Sequence, residues 1–232
     1  HLSVLIETMR REGYELAVSR PRVLTRTTPD GKLEEPYERV VVQCNTDFSG
    51  AIIERIGKHG EMLAMEEDGP GRSRMEFRAP TRSLIGYRSQ FLTDTRGTGV
   101  ISSVFDSYGP YLGTLRTRGH GVMVVMETGE TITYSLFRLQ DRGELFVGPQ
   151  TKVYGGMLLG THNRDNDIVV NPCITKKLTN VRSAGADEKL FLTPPRDMSL
   201  EQAIAFIEDD ELLEITPKNL RLRKRYLDHN IR

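Results

Sequence analysis

Three groups of side chains in this sequence have residue types and spacing that could do chemistry. The first is His162, Asp165 and Asp167. An imidazole beside two carboxylates can hold a divalent metal ion or pass a proton as acid and base. The same stretch also reads as a polar turn, because Asn163, Asp165, Asn166 and Asp167 readily bond their own backbone. No further ligand group stands out elsewhere, so the turn is the plainer reading. The second group is Thr175-Lys176-Lys177-Leu178-Thr179-Asn180-Val181-Arg182. Lys176 and Lys177 supply point charges, Arg182 a guanidinium for bidentate phosphate contact, and Asn180 an amide. A solvated surface loop is the alternative. The third group is Lys218, Arg221, Arg225 and Arg232, which recur at helical spacing near the C-terminus. A basic helical face could meet nucleic acid or an acidic protein. It could also pair internally with the acidic run Glu208, Asp209, Asp210, Glu211 and Glu214. Arg116, Arg118 and Tyr111 extend a basic surface only weakly.

Other chemistries lack their residues. A phosphate loop needs GxxxxGK[ST], but Gly31-Lys32 is followed by Leu33 and Gly57-Lys58 by His59. DxxG occurs at Asp47–Gly50, Asp68–Gly71 and Asp106–Gly109, which without a phosphate loop shows only how common it is. No GxSxG is present. Cys44 and Cys173 are far apart with no CxxC partner, and a reduced cytosolic chain is expected. His59 and His120 stand alone beside glycines.

The elements that must position these residues follow from periodicity. Leu2, Leu5, Ile6 and Met9 predict an amphipathic helix ending near Gly13, with a strand over Glu15–Val18. Neither can bury its faces alone, so residues 1–34 read as the tail of a domain whose front is missing. Residues 35–110 predict the order β-α-β-β-α-β, the split βαβ or ferredoxin-like plan of an α+β protein. Residues 111–232 have a different texture. Val122–Met126, Thr131–Leu136, Leu145–Val147 and Val153–Leu159 predict short strands between glycine-rich turns. A long polar stretch follows, to about Lys189. Ser199 then caps a helix with Gln202 at the capping-box position. Leu212–Ile215 predicts a strand. Thr216-Pro217 predicts the start of a final helix, with Thr as cap and Pro at the first position.

Composition bounds the class without choosing a partner. The 232 residues carry 32 basic and 32 acidic side chains, a net charge of zero. The distribution is less even: between Thr216 and Arg232 the basic residues are Lys218, Arg221, Arg223, Lys224, Arg225 and Arg232, against Asp228 alone. That local asymmetry is what a polyanion would feel. No apolar run approaches the ~20 residues of a membrane helix, so no membrane partner is expected.

Several strings together resemble the BipA/TypA family of translational GTPases. They include Pro80-Thr81-Arg82-Ser83-Leu84-Ile85-Gly86-Tyr87-Arg88, continuing through Phe91-Leu92-Thr93 and Gly97-Thr98-Gly99. Further strings are Leu139-Gln140-Asp141-Arg142-Gly143-Glu144-Leu145-Phe146-Val147, Val153-Tyr154-Gly155-Gly156-Met157 and Lys176–Arg182. Asp209-Asp210-Glu211 running into Thr216-Pro217-Lys218 and Arg221-Leu222-Arg223-Lys224 completes them. Ser83 departs from the glycine usual in the family, a change that a helix start tolerates. The resemblance implies that residues 1–34 end a third domain, 35–110 correspond to the fifth domain of elongation factor G, and 111–232 form a family-specific C-terminal domain. It implies a cytoplasmic monomer that binds the ribosome and acts in large-subunit assembly and in stress or cold adaptation. GTP and Mg would sit in an N-terminal domain absent here, so no cofactor and no GTP hydrolysis are expected of this chain alone. Lys176, Lys177, Asn180 and Arg182 would lie on a loop reaching rRNA and the acceptor end of the A-site tRNA, with Lys218, Arg221 and Arg225 as further RNA contacts.

Overall fold

The structure is a computed structural model that describes residues 2–113, 115, 118–175, 190–228 and 230–231. Contacts group the chain into two compact units. One is Pro21–Thr117; the other joins His1–Arg20 to Arg118–Arg232. The architecture is α+β in both.

The chain opens with helix α1 (Leu2–Arg11) and strand β1 (Leu16–Ser19), which belong to the discontinuous unit. It then builds the Pro21–Thr117 unit from β2 (Arg26–Thr27), β3 (Leu33–Asn45), α2 (Ser49–Gly57), β4 (Glu61–Glu67), β5 (Arg72–Pro80), α3 (Thr81–Leu84), α4 (Tyr87–Asp94) and β6 (Val100–Pro110). The sheet runs β4-β5-β3-β6 with every neighbouring pair antiparallel, the ferredoxin-like arrangement expected from the element order. Alternation along β3 and β5 sends Val40, Val42, Cys44, Met75 and Phe77 to one face. There they meet Ile52 and Ile56 of α2 and Phe91 of α4. The second helix of that plan is divided: Ile85 is extended and ends α3, and Gly86 at φ +78° re-aims the chain into α4. Arg82 of α3 donates through Nη2 to Glu35 Oε1 at 2.8 Å, and Glu35 also accepts the Leu112 amide at 2.9 Å. That pair fixes the chain as it leaves β6.

The remaining elements are β7 (Val122–Val125), β8 (Gly129–Glu130), α5 (Thr133–Leu139), β9 (Lys152–Val153), β10 (Leu158–Thr161), β11 (Ile168–Val170), α6 (Leu200–Phe206), β12 (Glu211–Ile215) and β13 (Leu220–Lys224). They form sheets ordered β10-β7-β11, β1-β12-β13 and β8-β9. Every residue of β7 is buried, because it separates two cores. Val122 and Val124 face Ile6, Ile207, Leu213 and Ile215. Met123 and Val125 face Leu136, Leu159 and Val170. The N-terminal helix and strand, which the sequence leaves without partners, are therefore seated: Ile6 enters a core and β1 pairs with β12.

Four expected elements are corrected. Leu145–Val147 makes only an isolated bridge, Leu145 to Gly160, and Val153–Leu159 divides between β9 and β10 at Gly156, whose φ of +89° turns the chain. Thr131–Leu136 is not a strand. Its β-branched residues favour one, but Leu136 is fully buried and Leu139 packs into the same core, so helical α5 wins on packing. The final helix from Thr216 does not form either. Thr216-Pro217-Lys218-Asn219 is a tight turn, with the Thr216 amide donating to the Asn219 carbonyl at 2.9 Å. Threonine followed by proline serves a turn as well as a helix start. Beyond the turn, Leu220 and Leu222 point inward at a period of two, and β13 pairs with β12.

A buried charge cluster closes this unit. Glu211 is fully buried; it accepts both arms of Arg118 at 2.9 Å and Lys224 Nζ at 3.0 Å. Lys224, 2% exposed, also contacts Asp167 at 2.6 Å and Asp210 at 2.7 Å. Glu208 accepts from Arg20 at 2.7 Å and from the Arg118 amide at 3.0 Å. One carboxylate thus holds the chain where it leaves the unit and where it returns. Burial opposes charge on Lys224, but Glu211, Asp167 and Asp210 hold its pKa above the usual 10.5. Burial likewise opposes ionisation of Asp167, yet the Lys224 ammonium, the Val122 amide and Arg118 keep its pKa below the usual 3.8.

Glu211→Gln leaves two buried cations short of their counter-charge and is expected to lower unfolding free energy by on the order of 3 kcal/mol in urea titration. The pH dependence has two arms. Asp167 contributes fully above its unfolded value of 3.8 and loses that contribution as pH falls through its lower folded value. Lys224 contributes below 10.5 and loses its share as pH rises through its higher folded value. Urea midpoints measured across pH should fall at both extremes, and Lys224→Met should flatten the alkaline arm.

Candidate nucleic-acid interface

The cluster settles how the acidic run near residue 210 is used. Asp210 and Glu211 are taken by Lys224 and Arg118, Glu208 by Arg20, and Glu214 by Arg223 at 2.6 Å and the Tyr154 hydroxyl at 2.5 Å. These are not the cations with the expected helical spacing. Among the described residues, no carboxylate lies within ion-pair distance of Lys218, Arg221 or Arg225. Their geometry also differs from a helical face. Lys218 sits in the turn, Arg221 is a half-buried residue on β13 opposite Glu214 in register, and Arg225 is exposed beyond the strand end. The Arg225 amide donates to the Asp210 carbonyl at 2.8 Å, which leaves its side chain outside the cluster. Arg232 lies outside the described residues.

Lys176, Lys177, Asn180 and Arg182 also lie outside the described residues. The stems on either side of them are well defined, and both are held by one helical element. Ser135 of α5 donates its hydroxyl to the Ile174 carbonyl at 2.6 Å. Gln140, at the C-terminal cap of α5, donates to the Phe191 carbonyl at 3.2 Å and accepts the Thr193 amide at 3.1 Å. Five residues of helix span only about 7.5 Å, so both ends of the basic stretch are anchored close together. Asn171 steadies the first stem by donating to Glu127 and accepting the Cys173 amide at 2.9 Å. The Phe191 side chain is 79% exposed beside the second stem. Sequence spacing had no means of pointing to Ser135 and Gln140, because polar residues on a short helix read as a solvent face.

His162, Asp165 and Asp167 do not converge. The His162 ring is buried with Nδ1 2.6 Å from the Asn166 carbonyl, a bond within the turn. Asp167 accepts the Val122 amide at 2.8 Å and serves the Lys224 cluster. Asp165 is exposed. A Cβ on Gly121 would strike the Asn166 carbonyl, so the turn is packed directly on backbone and needs glycine there. No group of three or more His, Cys, Asp or Glu placed to hold a metal ion occurs among the described residues. Cys44 and Cys173 are both free thiols.

The fold and these surfaces define the class: a ferredoxin-like α+β unit and a second α+β unit bearing basic surface residues. Comparison with known proteins agrees. Residues 32–123 match the family model described as elongation factor G C-terminus, and residues 120–229 match that of the TypA/BipA C-terminal domain. The whole chain is 48% identical to the large ribosomal subunit assembly factor BipA of Salmonella typhimurium and 48% identical to that of Haemophilus influenzae. Identity to the protein of the same name from Bacillus subtilis is 46%. The chain belongs to the TypA/BipA family, and it spans 38% of the length of these relatives.

Gln140→Ala removes two bonds to the stem after the basic stretch. Hydrogen–deuterium exchange at the Thr193 amide is expected to speed by roughly tenfold, in line with about 1.4 kcal/mol of lost protection. Exchange at the core amides of β7 should not change.

Proposed function

We propose that this chain is the ribosome-docking region of a translational GTPase. Its partners are rRNA and the acceptor end of an A-site tRNA, and it takes part in large-subunit assembly in the cytoplasm and in adaptation to stress and cold. The observation that carries the reading is the 48% identity, over all of the chain, to a named large-subunit assembly factor. Residues 35–110 are the counterpart of the fifth domain of elongation factor G and 111–232 the family-specific domain, while 1–34 are the tail of a third domain by descent, although residues 1–20 share a core and a sheet with the family-specific domain. GTP and Mg are held elsewhere in the whole protein; the 232 residues contain no phosphate loop to receive them. The chain acts as a monomer and does not hydrolyse GTP alone.

Its role is positional. Ser135 and Gln140 hold the stems of the 176–189 stretch, and Lys176, Lys177 and Arg182 meet RNA phosphates with Asn180 as a polar contact. Lys218, Arg221 and Arg225 add charge that no internal carboxylate cancels among the described residues. Binding of this kind releases counterions and weakens steeply with salt.

The test is cosedimentation with ribosomes, using this chain and the full-length protein, with and without a non-hydrolysable GTP analogue. Combined Lys176→Glu, Lys177→Glu and Arg182→Glu substitutions should weaken association and reduce the slope of log affinity against log salt by roughly 2–3, at about 0.7–0.9 per phosphate contact. Unfolding temperature should not change. Unaltered cosedimentation of that folded variant would overturn the assignment.

A further inference from the structure

A cleft of about 440 Å³ opens within the discontinuous unit, between α1, the segment before α6, and the β12–β13 hairpin. Half-buried Phe146 lines it, and beneath lie Met157 and Leu213, both almost wholly buried. Four cations line it as well: Arg10, Arg196, Lys218 and Arg221. The carboxylates facing it are Glu7 and Asp197, so the charge balance favours an anion.

The cations differ in how far they are already committed. Arg10 spends Nε on the Thr216 carbonyl at 2.9 Å, and its Nη1 lies 3.6 Å from Glu7. Arg196 pairs with Glu144 at 3.2 Å. Lys218 and Arg221 have no carboxylate within ion-pair distance among the described residues. Lys218 is exposed and Arg221 half-buried, so both can meet an anion that enters the cleft. The cleft volume falls within the ~300–1,000 Å³ typical of small-molecule sites. An inorganic anion would leave Phe146 unused, whereas a flat ring system could lie against its ring.

We propose that this cleft binds a nucleoside 5′-phosphate unit, with the base against Phe146 and the phosphate on Arg221 and Lys218. The unit is either a free nucleotide or one residue of single-stranded RNA. The proposal shares Lys218 and Arg221 with the RNA-facing role above and rests on that reading for RNA as a source. Its chemistry is separate, because none of its residues lies in the 176–189 stretch.

The experiment titrates the 232-residue chain with adenosine 5′-monophosphate, with a short single-stranded oligoribonucleotide, and with inorganic phosphate, by calorimetry. Saturable binding of the mononucleotide, weakened about tenfold or more by Arg221→Glu and largely retained by Arg221→Lys, is the expected result. Asp197→Asn, an exposed substitution that removes a facing carboxylate, should tighten it. If the oligonucleotide responds to the same substitutions, RNA is the source; if only the mononucleotide does, a free nucleotide is. The triple loop variant should leave mononucleotide affinity unchanged even where it weakens ribosome association, which separates failure of one reading from failure of the other. Absence of mononucleotide binding, indifference to Arg221→Glu, or equal binding of inorganic phosphate would each overturn the proposal.

Discussion

The contact of Glu211 with two buried cations is the constraint on which the second unit depends. Glu211 opens β12, Arg118 marks the return of the chain to the unit, and Lys224 ends β13. Removing three ionic groups from water carries a penalty that only close, fully bonded geometry offsets. Here the Arg118 fork meets both Glu211 oxygens, and Lys224 fills its remaining donors with Asp167 and Asp210. Arg118 also lies over the Phe206 ring at 4.7 Å, which ties the end of α6 to the same point. The cluster therefore fixes the register of the β12–β13 hairpin and the seat of the 162–167 turn together. Such a network specifies one arrangement even where an apolar substitute would be comparably stable.

Its consequence for recognition is indirect but definite. Because Glu208, Asp210, Glu211 and Glu214 are taken by Arg20, Lys224, Arg118 and Arg223, those four do not neutralise Lys218, Arg221 or Arg225. A chain of zero net charge can thereby present local positive surface. The alternation of β13 does the sorting: Leu222 and Lys224 face inward, whereas Arg221 and Arg223 share the other face.

The ferredoxin-like unit was legible in the sequence because its central strands, β3 and β5, have a clear period and glycine-bearing turns separate its elements. Val40, Val42 and Cys44 alternate visibly, and the Asp68–Gly71 turn separates β4 from β5. The second unit was less legible because its elements are short and their faces are decided by partners distant in sequence. Leu136 belongs to a helix only because a core lies beneath it. The segment after Thr216 has basic residues at helical spacing and leucines at strand spacing, and β12 decides for the latter. Basic candidates could be found by composition, yet Arg10 and Arg196, which join Lys218 and Arg221 at the cleft, come from opposite ends of the chain and share no local pattern. The strings shared with the family carried more than periodicity could, since they hold their order across all of the chain.

How the stems of the 176–189 stretch are held bears on what that stretch is for. Ser135 and Gln140 bond main-chain atoms of Ile174, Phe191 and Thr193, not side chains. Main-chain anchoring fixes where a segment starts and ends while placing no demand on the side chains between. In a loop built only to connect two elements, a short link would serve with less loop-closure entropy. A long basic insertion on firmly tied stems makes sense where its side chains are spent on an outside partner. Within our proposal, the two polar side chains that tie down the stems, Ser135 and Gln140, are the supporting counterpart of the lysines between those stems.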